Sequence, residues 1–375
     1  MDSYLRYARA KQKDIVALIR EFVECESPSD HPPGIKQFVD LLTARVSDIA
    51  KVKRFAGGHA RVEFTLPGNK KTGQILALGH SDTVWSLGTL RTMPFREEKG
   101  RLWGPGVLDM KAGLAFFIFA MRALREMDTP VAKKVVMQVN ADEEVGSDSS
   151  RALTEEAARS SAAVLVLEPG TGLEGKLKTA RKGVGDYTLT VHGKASHAGV
   201  DFANGANAII EMSRQLERIA GFTQLDRGVT VSPGVIHGGT RSNVVPAECR
   251  AEIDIRAPRD RDRVYLEKKF ASLKPFDKRC TLELTGGLNR PPMERSAGVR
   301  KLYKTAEKLA AELGVVLEES STGGGSDGNF TAALGIPTLD GLGAVGEGAH
   351  APHESILINR IADRTALLAK LVCSL

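Results

Sequence analysis

The stretch Gln74-Ile75-Leu76-Ala77-Leu78-Gly79-His80-Ser81-Asp82 is apolar for most of its length and turns polar at a histidine. Two further runs behave the same way. Lys134-Val-Val-Met-Gln-Val139 leads into Asp142-Glu143-Glu144, and Ala162-Ala-Val-Leu-Val-Leu167 leads into Glu168-Pro169. None alternates apolar with polar, as expected of strands buried on both faces. An apolar helical stretch, Met110 to Met127, lies between the first two. Strand–helix–strand units of this kind predict an α/β fold with a largely parallel sheet. Ligands of such sheets bind beyond the carboxyl ends of the strands, where these polar residues would gather.

Upstream, Asp14 to Glu24 carries a helical stripe (Ile15, Leu18, Ile19, Phe22, Val23), and Ile35 to Ile49 repeats the pattern. Downstream the character changes near Thr179. Asp186 to His192 alternates like a half-exposed strand, Gly205 to Ile219 reads as a helix, and Thr230 to Ile236 and Cys249 to Ile255 read as strands. A helix over Arg263 to Leu273 and a strand over Cys280 to Leu284 follow. The order β-α-β-β-α-β is that of a small split βαβ domain. Helical patterns resume at Gly298 to Leu313 and close the chain near Arg360 to Leu375. Residues 1–178 and 290–375 are therefore expected to form one discontinuous domain, with 179–289 inserted as an α+β domain.

A chain of 375 residues suits two domains. Hydrophobic content of 42% and charged content of 26% exclude global disorder. The net charge of +6 suits an acidic substrate. Basic residues alternate with acids, as in Arg259-Asp260-Arg261-Asp262-Arg263, and aromatics reach only 5%, so no nucleic-acid partner is expected. None of the four cysteines forms a C-x-x-C pair, so reduced buried thiols are expected rather than a sulfur-only metal site. No apolar leader opens the sequence and the longest apolar stretch, Leu114 to Met121, is too short for a bilayer. The expectation is a cytoplasmic protein with no membrane partner.

Two more segments join the strand ends: Gly104-Pro-Gly-Val-Leu-Asp109-Met-Lys111 and Gly348-Ala-His350-Ala-Pro-His353-Glu354. Any one carboxylate here could be an ordinary helix cap. Two imidazoles and three or four carboxylates gathered at neighbouring strand ends would repel one another without cations. Mixed His/carboxylate donors suit zinc.

The series H-S-D-T, G-P-G-V-L-D-M-K, D-E-E-V-G-S, E-P, S-H-A-G, N-V-V-P and G-A-H-A-P-H-E resembles the M20 family of dinuclear zinc peptidases and deacylases, most closely its glutamate carboxypeptidase (carboxypeptidase G2) branch. The resemblance implies a zinc-peptidase catalytic domain with an inserted dimerisation domain. It implies two divalent ions per chain, Zn2+ first, with Mn2+ or Co2+ as alternatives. Asp109 would bridge them, His80 and Glu168 completing one site and Glu144 and His350 the other. His353 competes with His350; the family's ligand precedes a glutamate by four positions, which selects His350 before Glu354. Asp82, two residues past His80 and on the same side of an extended segment, is expected to accept the imidazole's second N–H. Glu143 would stay outside the ligand set as general base. His197 would donate to the developing oxyanion, reaching the site from the partner subunit of a homodimer. Asn243 would lie near the scissile carbonyl. Arg256 would grip a substrate carboxylate, with Arg290 as a second candidate, and the strap Thr322-Gly-Gly-Gly-Ser-Asp327, including Gly324, would meet the substrate's tail.

The implied reaction is hydrolysis of an amide beside a free carboxylate, on an N-acyl amino acid or short peptide, with glutamate the first choice for the released residue. An N-acyl-amino-acid deacylase of the acetylornithine deacetylase or aminoacylase kind is the alternative, and a non-catalytic binding relative is the alternative of another class. Ala112 replaces the glycine common after the lysine in the family's D-x-K-G, and Leu108 stands where related branches often have a small or polar residue. Two further motifs compete. Gly324-Gly-Ser326-Asp-Gly328 fits the G-x-S-x-G nucleophile elbow, but only 24 positions separate Ser326 from His350. Gly170 to Lys176 imitates a phosphate loop, but Leu177 stands where a Ser or Thr is required.

Overall fold

The computed structural model describes residues 1–375. The chain forms two compact units, one of residues 1–180, 295–321 and 326–375, the other of residues 181–294 and 322–325.

The first unit is built on a six-stranded sheet ordered Ala50–Arg54, Ala60–Phe64, Lys134–Asn140, Gln74–His80, Ser161–Val166, Thr338–Leu339. The last four are mutually parallel; the first two add an antiparallel edge. Ile75 and Ala77 point into one core, with helices Gln12–Glu24, Ala112–Glu126 and Ile361–Ser374. Leu76 and Leu78 point into a second core on the opposite face, with Ala157 and Ala158 of helix Arg151–Arg159. Burial on both sides explains the unbroken apolar runs of the central strands.

The register fixes where the polar strand ends fall. His80 pairs with Asn140 and Leu78 with Val166, so the three strands finish level. Helix Ala112–Glu126 packs tightly over this edge. A Cβ on Gly113 would lie 2.1 Å from the carbonyl oxygen of Leu167, so only glycine lets the helix cross the chain immediately before Glu168. A separate antiparallel sheet, ordered Gly346–Glu347, Ser355–Leu357, Arg101–Trp103, Arg96–Glu98, joins two loops to the same end. Its hairpin encloses residues 348–354, and strand Arg101–Trp103 runs straight into Gly104.

The second unit has the order β-α-β-β-α-β: Gly183–His192, Ala208–Ala220, Thr230–Gly238, Glu248–Ala257, Asp260–Ala271, Thr281–Arg290. Its sheet is wholly antiparallel, with Glu248–Ala257 and Gly183–His192 central. Tyr187, Leu189 and Val191 alternate into its core with Ala251, Ile253, Met212 and Phe270. This unit is covered on one face only, and its strands alternate accordingly. No helix of the chain is long and apolar enough to cross a membrane. Cys25, Cys249 and Cys280 are buried thiols and Cys373 is half-buried; none is disulfide-bonded.

Candidate metal centre

His80 closes its strand with the ring fully buried. Its Nδ1 lies 2.9 Å from the main-chain carbonyl of Asp82, so Nε2 is the atom turned toward Asp109 Oδ1 at 3.2 Å and Glu168 Oε1 at 3.5 Å. The Asp82 carboxylate Oδ1 lies 3.4 Å from the same Nδ1. This carboxylate also accepts from Glu143 N at 3.2 Å, Glu144 N at 3.1 Å and Ser29 Oγ at 2.8 Å. The turn Glu143–Val145 opens with unsatisfied amides, and the carboxylate caps them as their acceptor.

The other loop brings His350 Nε2 to 3.3 Å from Asp109 Oδ2 and 3.2 Å from Glu144 Oε2. Asp109 thus offers one oxygen to each histidine. His350 sits in the left-handed region at φ 61°, uncommon for a non-glycine residue, within the tight hairpin loop. His353 is exposed and outside the cluster.

Two triads result, His80–Asp109–Glu168 and Asp109–Glu144–His350, with the donor atoms of each within 4.8 Å of one another. Four ligands about 2.0–2.1 Å from a tetrahedral zinc ion are spaced at about 3.3 Å, close to the contacts here. Charge agrees with geometry. With neutral imidazoles the five ligands carry three negative charges, which two divalent cations would reverse to a single positive charge. Hydrogen bonds to Asp109 and Glu144 lift His350's pKa to about 10. Burial opposes a charge on His80, yet Asp109, Asp82 and Glu168 hold its pKa well above the imidazole norm. Burial likewise opposes ionisation of Asp109, but His350 and His80 pull it far below the carboxylate range. Burial raises Glu144. A pocket that favours positive charge on both imidazoles is one that cations fit. Bound there, two divalent ions would supply Lewis acidity toward an amide carbonyl and toward water.

Glu143 is half-buried on the same turn as Glu144. That turn is held from behind by His59, a residue the sequence does not single out. His59 Nδ1 accepts from Ala141 N at 3.1 Å and its Nε2 meets Ser149 Oγ at 2.9 Å, while Ser149 Oγ is 2.7 Å from Asp142 Oδ2. A lone histidine far from every motif gives no signal in sequence.

The remaining residues lie in the second unit. His197 is exposed, and its Nδ1 accepts from Gly199 N and Val200 N at 3.1 and 3.2 Å, which leaves the proton of the neutral ring on Nε2. Ala198 N donates to the carbonyl of Asn243 at 3.0 Å, so these two segments are joined. Arg256 is engaged by Asp254 through two bonds of 3.0 and 2.7 Å and donates to Gly323 O at 3.3 Å. Arg290 is buried, and its Cδ would lie 2.7 Å from a Cβ on Gly325. Arg181 donates to the carbonyls of Gly324 and Gly325 at 3.1 and 2.9 Å. Ser326, in the first unit, is no exposed nucleophile: it is fully buried, donates to Asp340 Oδ2 at 2.7 Å and accepts from Gly328 N at 3.1 Å.

The family model of peptidase family M20/M25/M40 matches residues 76–374. The chain belongs to this family. As an M20 member it is a hydrolytic metalloenzyme, a metallopeptidase or amidohydrolase. It is similar to carboxypeptidase G2 of Pseudomonas sp. (28% identity over 382 residues, 98% of this chain and 91% of that one). It is equally similar in identity to a succinyl-diaminopimelate desuccinylase of Cereibacter sphaeroides (28% over 386 residues, 96% and 98% covered). Aminopeptidase PepT of Bacillus cereus shares the M20 chain's fold with a TM-score of 0.80 at 22% identity, covering 96% of this chain and 98% of that one.

Proposed function

We propose that the chain hydrolyses an amide bond adjacent to a free carboxylate, releasing a C-terminal amino acid, glutamate foremost, from an N-acyl or peptidyl group, with two zinc ions. The observation that carries this is Asp109 shared between two His/carboxylate triads, with Glu143 on the turn that supplies Glu144. Glu143 takes a proton from the attacking water and returns it to the departing amine nitrogen as the C–N bond breaks. His197 offers its Nε2–H to the oxygen of the attacked carbonyl. The glutamate reading is supported by the likeness to carboxypeptidase G2 and the basic net charge. The likeness to the desuccinylase favours the second reading, an N-acyl-amino-acid deacylase.

For the substrate carboxylate Arg256 is proposed first, with Arg290, buried against the same glycine strap, as the second candidate. Two bonds to Asp254 and one to Gly323 O hold the Arg256 guanidinium beside the glycine strap. A panel of N-acyl-glutamate, -aspartate, -ornithine and -leucine tests both points. Acidic products should be preferred; preference for ornithine or leucine would contradict the glutamate reading. Losing one charge-assisted bidentate contact in Arg256→Lys should lower kcat/KM about 10- to 100-fold. An unchanged kcat/KM would overturn this assignment.

A homodimer through the second unit, with His197 acting across it, is proposed as well. Ile209 and Ile210 are exposed on helix Ala208–Ala220, and Val235 and Ile236 on the outer strand Thr230–Gly238. These support a second copy as occupant. Mixing His197→Ala subunits with Glu143→Gln subunits should then restore activity, because one site of each hybrid is complete. No recovery in verified hybrids would contradict it.

A further inference from the structure

Glu354 lies four residues beyond His350, on the hairpin loop that bears it, and is completely buried. A buried carboxylate needs compensation, and this one has four donors. Oε1 accepts from Leu108 N at 2.8 Å and Asp109 N at 3.1 Å; Oε2 accepts from Gly106 N at 2.9 Å and Trp85 Nε1 at 2.8 Å. Its main-chain carbonyl also accepts from Gly104 N at 3.3 Å. Three of the four donors are backbone amides of the arc that carries Asp109. That arc has no regular ladder of its own: Gly106 is left-handed, and Asp109 and Met110 depart from helical angles. Its amides converge on the two carboxyl oxygens inside it, as backbone nests converge on an anion.

The same residue is anchored from the other side. Glu354 N donates to Ala351 O at 2.9 Å, and Ala351 N to Gly348 O at 2.8 Å, so the His350 loop is folded tightly onto its own end. One side chain therefore ties the segment of the shared ligand, Asp109, to the segment of His350. Neither tie involves a metal-ligand atom.

We infer that Glu354 is the positioning residue that holds Asp109 in register with His350, and so sets the affinity of the Asp109–Glu144–His350 triad for its cation. This rests on the metal reading above. In Glu354→Gln the side chain keeps its size, but the amide nitrogen faces two N–H donors where an oxygen accepted them. Residues that orient metal ligands typically change metal affinity about 10- to 100-fold when replaced.

The test is zinc competition against a chromogenic chelator on metal-stripped full-length chain at fixed low temperature, with circular dichroism and the thermal midpoint of the metal-free protein measured alongside. Glu354→Gln should fold, and should bind at least one zinc about 10- to 100-fold more weakly than the parent chain. A role confined to stability would lower the metal-free midpoint and leave both zinc constants as they were; that result overturns the inference. If Glu354→Gln does not fold, Trp85→Phe decides, since it removes one donor to the same carboxylate. A weakening of about threefold or more supports the inference, and unchanged constants overturn it. A parent chain that binds no zinc in the same titration would instead sink the metal reading itself.

Discussion

Asparagine at position 109 is expected to lower kcat/KM by about 10³-fold or more, and to do so by loosening both metal sites together. The reason is the sharing of one carboxylate. Oδ1 faces His80 and Oδ2 faces His350, so an amide in its place leaves one triad with a nitrogen that cannot ligate and the other with a neutral oxygen. Cationic stabilisation of a developing charge is worth several kcal/mol, and each 1.36 kcal/mol is a tenfold change in rate. The main-chain N–H of residue 109 still meets Glu354, so the loop should keep its path and the protein its fold. His80→Ala makes the control, because it touches one triad only. Activity and metal content of Asp109→Asn close to those of the parent chain would contradict the shared-ligand arrangement.

Glu143→Gln should give the second large effect, about 10²- to 10⁴-fold in kcat, the range of a lost general base. It should differ in kind from the first. Glu143 belongs to neither triad, and its turn is held through main-chain amides by the Asp82 carboxylate, so the amide variant should keep its metal. Steady-state kinetics beside metal analysis of the same preparation separate the two variants. A Glu143→Gln enzyme that loses its ions, or one that turns over normally, would show that Glu143 is not the general base.

What sequence conveyed and what it withheld both have physical causes. The strands Gln74–His80, Lys134–Asn140 and Ser161–Val166 are readable because burial on both faces makes them apolar throughout. The alternation of Gly183–His192 is readable because its sheet is covered on one face. The edge strand Ala50–Arg54 is not legible in sequence: Lys51, Lys53 and Arg54, charges of the kind that protect a sheet edge, make it look like a frayed helix end. The two- and three-residue strands that bring the His350 loop to Asp109 are too short to show any period.

At the site, the motif residues His80, Asp109, Glu144, Glu168 and His350 do come together. Their supports were not legible, because they depend on main-chain atoms. The imidazole of His80 meets the main-chain carbonyl of Asp82 as well as its carboxylate, and Glu354 accepts from three backbone amides. The bond between Asp254 and Arg256 could have been foreseen, since residues two apart on a strand share a face. The glycines of Thr322–Gly325 give no sign that this segment joins the second unit.

Asp109, facing both histidines, should organise two cations. Stripped chain should be titrated with Zn2+ in a calorimeter and then analysed for metal after gel filtration. Two ions per chain are predicted for the parent sequence, with binding at both sites weakened in Asp109→Asn. A parent chain that takes up one ion or none, while hydrolysing its substrate at full rate, would contradict it.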